Sequence, residues 1–571
     1  MEQEILDEIS VSKMMEHVKR ISHWERLSGS EDEWKAFQYQ KKVLENLGYN
    51  VRLEKHDAYI SLPLESEIEF DGMQIPSRAH SMSADTHGKF VEGPLIYLDK
   101  TLMETSEKLT DSEIQGKVVA FDGRAIYKKV AKAEKAGALA IIALQDDPLR
   151  ECIPSGAWGS PTTSSKRLLP RIPVVSVNET YSQIIRQTVQ EKRADGSEVP
   201  IKIKVKMDNG WRKIPSLTAE IKASIPTEKF VVFSGHLDSW YYGATDNGTV
   251  NAAQLEVARI VAKHKDQLRH NFRVINFSGH SHGRYAGSTW YFIHYWEEMH
   301  RNCIVNVNAD TIGGKDANDI TRSIIMPETK PLAKEIIKRQ TGVEFKGTRC
   351  QRVADQSFWP CGVSSAFASF SKQVYHKRPD GTLYLDKGNA DLGWWWHTPL
   401  DTIDVIDPVN YLRDVKIFLE YIWTFLTAPV LPLHFDETAQ SIAAAIDKWR
   451  QKAGKRVDLS KIHQKSVQLV RKSKMAFAPG KIEKMGDNRI LKMGRILVPL
   501  YFTTGNLYHN DDALSYPEVP SLMKIDELLK TEEHSDRSYE LTIEIEEKIN
   551  YVNDSLNQAL ELLESVLEQG A

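Results

Sequence analysis

Apolar residues recur at helical spacing near the start of the chain, at Met14, Met15, Val18 and Ile21 and again at Phe37, Val43, Leu44 and Leu47. The spacing predicts helices over 11–48, with Gly48 as the stop. Residues 49–56 alternate like a strand. From about 57 to 214 the texture changes to short apolar runs between turns, at 117–121, 138–144, 172–177 and 201–207, with one helix near 127–135. From about 215 to 429 strand-like and helix-like stretches alternate: 229–235, a helix at 249–264, 272–279, a helix at 285–299, and 303–309. Such alternation predicts an α/β fold, a mostly parallel mixed sheet flanked by helices. Beyond 430 the pattern is helical. Ile545, Ile549, Val552, Leu556, Ala559, Leu563 and Val566 form one stripe down a long helix, and the middle of the region is expected to break at Pro479, Gly480 and 499–520.

Composition narrows the class. At 571 residues the chain exceeds what one core ordinarily absorbs. Four units are expected: 1–56 as the N-terminal part of the main α/β unit, 57–214 as a β-rich module, 215–429 as the main unit, and 430–571 as a helical domain. A net charge of −4 with interspersed signs argues against a nucleic-acid surface. The start, MEQEILDEIS, lacks the basic and apolar pattern of a signal peptide, and Val415–Leu433 is interrupted by Lys416, Glu420 and two prolines, so no membrane span is expected. Cys152, Cys303, Cys350 and Cys361 are too sparse for a disulfide scaffold or a thiolate zinc site. The expectation is a cytoplasmic protein with reduced thiols.

In open α/β sheets, ligands bind beyond the carboxyl ends of the strands. There the chain places His236, Asp246 and Asp310, joined by the late His397. Two imidazoles and two carboxylates suit zinc or a similar divalent ion. Asp238, two residues past His236, is placed to orient a ligand imidazole. Singly each residue is weak evidence, since a strand-end Asp is more often structural and a His after Trp is usually a packed surface residue. Together, in this order, they point to a metal centre. Trp240, Tyr241 and Tyr242 with Trp394, Trp395 and Trp396 offer an aromatic wall, with Trp240, Tyr242 and Trp395 as candidate substrate contacts; packing around the late loop explains them equally well.

GHLDSW (235–240), GATDNGT (243–249), NAD (308–310) and WHTPLDT (396–402) match, in order and type, the site motifs of the zinc aminopeptidase and glutamate carboxypeptidase family, which the chain resembles. ADQSFWPCGVSS (354–365) resembles a further family segment, with Gln356 where a His is common. The likeness extends outward. IQGKVVAFDGRA (114–125), EKAGALAIIA (134–143) and RIPVVSV (171–177) look like a protease-associated domain inserted into a zinc-exopeptidase-like fold. The C-terminal region is similar to the dimerisation domain of the glutamate carboxypeptidase and transferrin receptor group. The resemblance implies one or two zinc ions, a peptide-like substrate and a homodimer.

One departure stands out. Where the family carries Glu-Glu, a general base followed by a zinc ligand, FSGHSHGRYAGS (277–288) carries His280 and Ser281, with His282 next. A serine hydroxyl is a poor zinc ligand, and a unit-charge contact at ~4 Å is worth about 4 kcal/mol at an effective dielectric near 20, so the second metal position is weakened. Three readings stay open. His280 replaces Glu as general base; His280 or His282 becomes a nitrogen ligand; or the site binds without turnover, as the transferrin receptor does on this scaffold. The change is confined to one dipeptide and brings in two imidazoles, which favours a working hydrolase of an amide or related carbon–nitrogen bond over a decayed site.

Overall fold

The computed structural model describes residues 3–99, 111–146, 148–387 and 390–568. Its sheet is built around four parallel strands, β8 (Phe230–His236), β9 (Asn271–Phe277), β10 (Cys303–Asn308) and β11 (Ser364–Ala366), in the order β11-β10-β8-β9. All four are buried along their whole length, which is why β8, β9 and β10 read as largely apolar runs rather than alternating ones. Helices α1 (Val11–Ile21), α2 (Glu31–Asn46), α5 (Thr249–Lys263) and α7 (Pro408–Thr427) bury their apolar stripes in the same core.

The segment 57–214 is joined to this unit by a ribbon. Strands β1 (Asn50–Phe70) and β7 (Pro200–Ile221) pair antiparallel along almost their entire length, from Asn50 opposite Glu220 to Phe70 opposite Ile201, with a register shift between Pro63 and Glu65. Positions 57 and 214 lie inside these strands, so the chain crosses between the two parts on hydrogen-bonded ladder and not on a linker. Only 49–56 and 201–207 are legible as strand in the sequence, because charged residues on the ribbon mask the alternation. Past the ribbon, β3 (Val91–Leu98), β4 (Val118–Asp122), β5 (Ala140–Leu144) and β6 (Val174–Val177) form a parallel set closed by the short β2 (Arg78–Ala79). Helices α3 (Tyr127–Lys135) and α4 (Glu179–Ala194) accompany it, and it has apolar clusters of its own.

The expected helix over 285–299 is two. Helix α6 (Ala286–His294) ends at Tyr295, whose φ of −112° and ψ of 25° interrupt the helical path. At the C-terminus, α8 (Phe435–Ala453), α9 (Ser460–Ala476), α10 (Ile482–Phe502) and α11 (Asp536–Leu567) form a helical layer. Helix α10 runs through Pro499 to Phe502, later than the break expected at 499. Burial of Val498, Leu500 and Phe502, at ~1.5–3 kcal/mol for each full side chain, offsets the ~3 kcal/mol a helical proline costs. The stripe of α11 is covered within the chain: Ile545, Val552, Leu556, Ala559, Leu563 and Val566 are buried in the core that also holds α1, α5 and the central strands. Position 430 is thus no break in packing. The four cysteines are free and buried, and no helix among the described residues is long and apolar enough to cross a membrane.

His56, on β1, stacks on Trp290 at 4.1 Å with ring planes 4° apart. Burial pushes its pKa down to about 4. The unfolded chain takes up this proton near pH 6.5 and the folded one only near 4, so His56 contributes stability that is intact above about pH 6.5 and is lost as pH falls toward 4, up to about 3 kcal/mol. Urea unfolding of His56→Phe between pH 7 and 4 should show a flatter acid limb than the wild type; equal slopes would reject the assignment.

Candidate metal centre

The side chains picked out by the sequence converge from separate elements at the carboxyl edge of the sheet. His236 is the last residue of β8, and Asp310 follows β10. Asp246 sits in an irregular turn before α5, and His397 in a loop. The turn depends on Gly243, at φ +47°, where a Cβ would lie 2.2 Å from the Asp246 carbonyl oxygen. Backbone strain gathers here: Tyr241, Arg284, Tyr285, Thr311, Ala354 and His397 all have positive φ, a feature that surrounding packing must enforce.

The imidazole of His236 donates from Nδ1 to the Asp238 carbonyl oxygen at 2.8 Å. A carbonyl only accepts, so the proton is on Nδ1 and the Nε2 lone pair faces inward. Nε2 lies 3.1 Å from Asp246 Oδ1 and 3.8 Å from Asp310 Oδ1. His397 repeats the arrangement, with Nδ1 donating to the Glu151 carbonyl oxygen at 3.0 Å and Nε2 3.2 Å from Asp246 Oδ2. The two oxygens of Asp246 therefore face two inward imidazole nitrogens. His236 Nε2 and Asp246 Oδ1 are buried and have no hydrogen-bond partner. Tetrahedral metal–ligand arms of ~2.0–2.2 Å place donor atoms about 3.3–3.6 Å apart, close to the spacing seen.

Electrostatics agree. Burial opposes a charge on His236, yet the carboxylates of Asp238, Asp246 and Asp310 push its pKa well above the usual value. Burial likewise opposes ionisation of Asp246, and His236 and His397 hold its pKa well below the usual value. The cluster calls for positive charge at its centre, which a divalent cation supplies in place of protons.

Asp238 organises the neighbouring loop. Its Oδ1 accepts from the His280 backbone N–H at 3.3 Å, and its Oδ2 from the Ser281 N–H at 2.9 Å and Ser28 Oγ at 2.6 Å. Burial works against ionisation, but His236 and these donors bring its pKa down to about 2. His280 stacks on His236 at 3.8 Å, donates from Nδ1 to Asp355 Oδ2 at 2.9 Å, and places Nε2 3.8 Å from Asp310 Oδ2. His282 points elsewhere. Its Nδ1 meets Ser28 Oγ at 3.0 Å, its ring packs on Trp240, and burial pushes its pKa down to about 4.

These groups line a cavity of about 420 Å³ that includes Asp246, His280, Asp310, His397, Trp240 and Trp396. Trp396 stacks on His397 at 3.5 Å. Trp395 is buried and donates from Nε1 to Thr245 Oγ1 at 3.0 Å. Tyr242 is 42% exposed, and neither it nor Trp395 is among the residues around the cavity. The 57–214 segment supplies part of the wall through Arg124, Tyr127, Glu151 and Cys152.

Several contributors escape sequence reasoning. Arg26 is fully buried and its guanidinium donates to the carbonyls of Leu237, Tyr242 and Gly243, bracing the loop beyond β8. Asp401 accepts from the Thr245 and Asp246 backbone N–H groups, and burial raises its pKa to about 7. Asp401 stands inside the WHTPLDT motif and Asp355 inside the 354–365 segment, so both carried a signal; Arg26 and Ser28 carried none.

Residues 216–422 match Peptidase family M28. Among curated relatives, mouse carboxypeptidase Q is 23% identical over 290 residues, 47% of this chain and 58% of that protein. Carboxypeptidase Q of Xenopus laevis is 24% identical over 406 residues, 67% of this chain and 79% of that one. Among solved structures, an aminopeptidase from Aneurinibacillus sp. strain AM-1 superposes with a TM-score of 0.55 at 21% identity, covering 75% of this chain and 97% of that one. A zinc aminopeptidase from Bacillus subtilis gives 0.53 at 19%, covering 73% and 94%. The fold of the main unit is that of these enzymes, and it is the 216–422 segment of the chain that matches Peptidase family M28.

Proposed function

We propose that this protein is a zinc-dependent hydrolase of an amide or related carbon–nitrogen bond in a small or modified peptide-like substrate. The observation that carries this reading is the buried, unpartnered pair of His236 Nε2 and Asp246 Oδ1, 3.1 Å apart beside a cavity. His236, Asp246 and Asp310 are the residues that would hold the ion. A bound divalent cation would supply Lewis-acid polarisation of a carbonyl and a lowered pKa for water. The chain's own groups do the rest. Asp238 fixes the tautomer-bearing loop, the Asp246 carboxylate and its two imidazoles stay rigid through Asp401, and Trp240 and Trp396 keep water from one side of the cavity. The 57–214 segment, read as a protease-associated domain, adds Arg124 and Tyr127 to the wall, with the Arg124 guanidinium 5.3 Å from the centre of the Trp396 ring. The curated relatives are named carboxypeptidases and the solved structures aminopeptidases, which supports a peptidase-type reaction.

Protein purified without chelator should contain zinc and hydrolyse at least one member of a panel of peptide, aminoacyl-amide and ester substrates. Asp246→Ala should lose both the metal and more than about a thousandfold in turnover. Zinc below ~0.5 per chain after reconstitution would reject the reading. A zinc-loaded protein inert on the whole panel would leave a binding protein on a hydrolase scaffold.

A homodimer and a cytoplasmic location belong to the same proposal. The α11 stripe is satisfied internally, so the dimer rests on the similarity of the C-terminal region and on its outer face, where Val467, Met475, Tyr508 and Ile543 are exposed. Light scattering at micromolar concentration should give twice the 65.0 kDa chain mass; a monomer mass would reject the dimer.

A further inference from the structure

We propose that the protein binds one divalent metal ion, not two, in a four-residue set of His236, Asp246, Asp310 and His280, with the buried carboxylate of Asp355 holding the His280 ring. The inference rests on the reading of this centre as a metal site and deepens it. A ligand role takes the place of the general-base role expected for His280 from its position after β9.

The geometry of His280 carries the argument. One ligand atom each from His236, His280 and Asp310 lies within 4.8 Å of the others, and all three residues are buried. His280 Nε2 is 3.8 Å from Asp310 Oδ2, the same separation as His236 Nε2 from Asp310 Oδ1. Asp310 therefore presents one oxygen to each imidazole. These two separations exceed by a few tenths of an ångström the ~3.3–3.6 Å between donors on ~2.0–2.2 Å arms, and with Asp246 as the fourth protein donor a water would enter as a fifth ligand.

Asp355 fixes which nitrogen faces inward. Its Oδ2 sits 2.9 Å from His280 Nδ1, and the carboxylate is 1% exposed. An ionised carboxylate only accepts, so it keeps the proton on Nδ1 and the lone pair on Nε2. This is the partnership that metal-ligating histidines ordinarily have. Stacking on His236 at 3.8 Å and edge contact with Tyr285 at 4.8 Å hold the ring in that orientation.

The second position is short of donors. Asp246 Oδ2 and His397 Nε2 face each other at 3.2 Å, and the residue that would complete the set is Ser281, a neutral hydroxyl. Two protein donors are fewer than the three that catalytic zinc sites use. His397 then orients Asp246 from outside the coordination sphere.

The test is zinc titration of chelator-stripped full-length protein against a chromophoric zinc indicator, with folding checked by urea unfolding of each metal-free variant. Wild type should bind one zinc per chain. His280→Ala should bind more than about a hundredfold more weakly, Asp355→Asn about 10–100-fold more weakly, and His397→Ala within tenfold of wild type. Should His280→Ala not fold, Asp355→Asn, which keeps the side-chain shape, carries the test. Two zinc ions bound with comparable affinity, or full affinity in both His280→Ala and Asp355→Asn, would overturn the proposal while leaving the hydrolase reading in place. No zinc binding by wild type would instead remove the hydrolase reading beneath it.

Discussion

The structure depends on an excess of buried negative charge at the carboxyl edge of four parallel strands. Asp238, Asp246, Asp310, Asp355 and Asp401 are each under a tenth exposed and lie around His236, His280 and His397. Removing carboxylates from water is costly unless each finds donors or a cation. Asp238 and Asp401 are satisfied by backbone N–H groups and hydroxyls, and Asp355 by an imidazole. Asp246 Oδ1 has no donor, and Asp310, whose Oδ1 accepts from Thr311 Oγ1, faces the Nε2 atoms of His236 and His280, which makes the centre a place for a cation.

The surrounding loops are held by parts of the chain far apart in sequence. Arg26, from the N-terminal segment, grips the carbonyls that follow β8, and Ser28 reaches both Asp238 and His282. Glu151, from the 57–214 segment, exchanges two hydrogen bonds with His397: its N–H donates to the His397 carbonyl at 3.0 Å and its own carbonyl accepts from the His397 side-chain Nδ1. The second imidazole is thus positioned across the cavity by the very module that walls it. Motion of this module on the β1–β7 ribbon would move His397 as well as the cavity wall, a coupling that the ladder pairing between the two strands restrains.

The proposed single-ion site gives a physical meaning to His280 and Ser281, which the resemblance sets where Glu-Glu is expected. In that proposal Ser281 supplies no carboxylate, so Asp246 and His397 face each other as an incomplete pair. A histidine at 280 adds a neutral nitrogen donor on the other side, where Asp310 and His236 already stand. The ring is not free to wander, because Asp355 and His236 fix it from two directions. His282, by contrast, is spent on packing against Trp240 and on Ser28.

The central strands and most helices are legible in the residues alone, since buried runs such as 230–236 and stripes such as that of α5 write their environment directly into residue type. So are the four ligand candidates, because strand ends and the turn at Gly243 fix where His236, Asp246 and Asp310 emerge. The rest is set by packing between distant elements. The length of β1 and β7 follows from cross-strand pairing that charged residues conceal. The break at Tyr295 and the passage of α10 through Pro499 follow from packing that overrides local propensity. The separation of His280 from His282, neighbours but for one serine, and the partners Asp355, Arg26, Ser28 and Glu151, follow from contacts between positions tens to hundreds of residues apart. No local pattern records such contacts, because the free energy that selects them arises only when the elements are packed together.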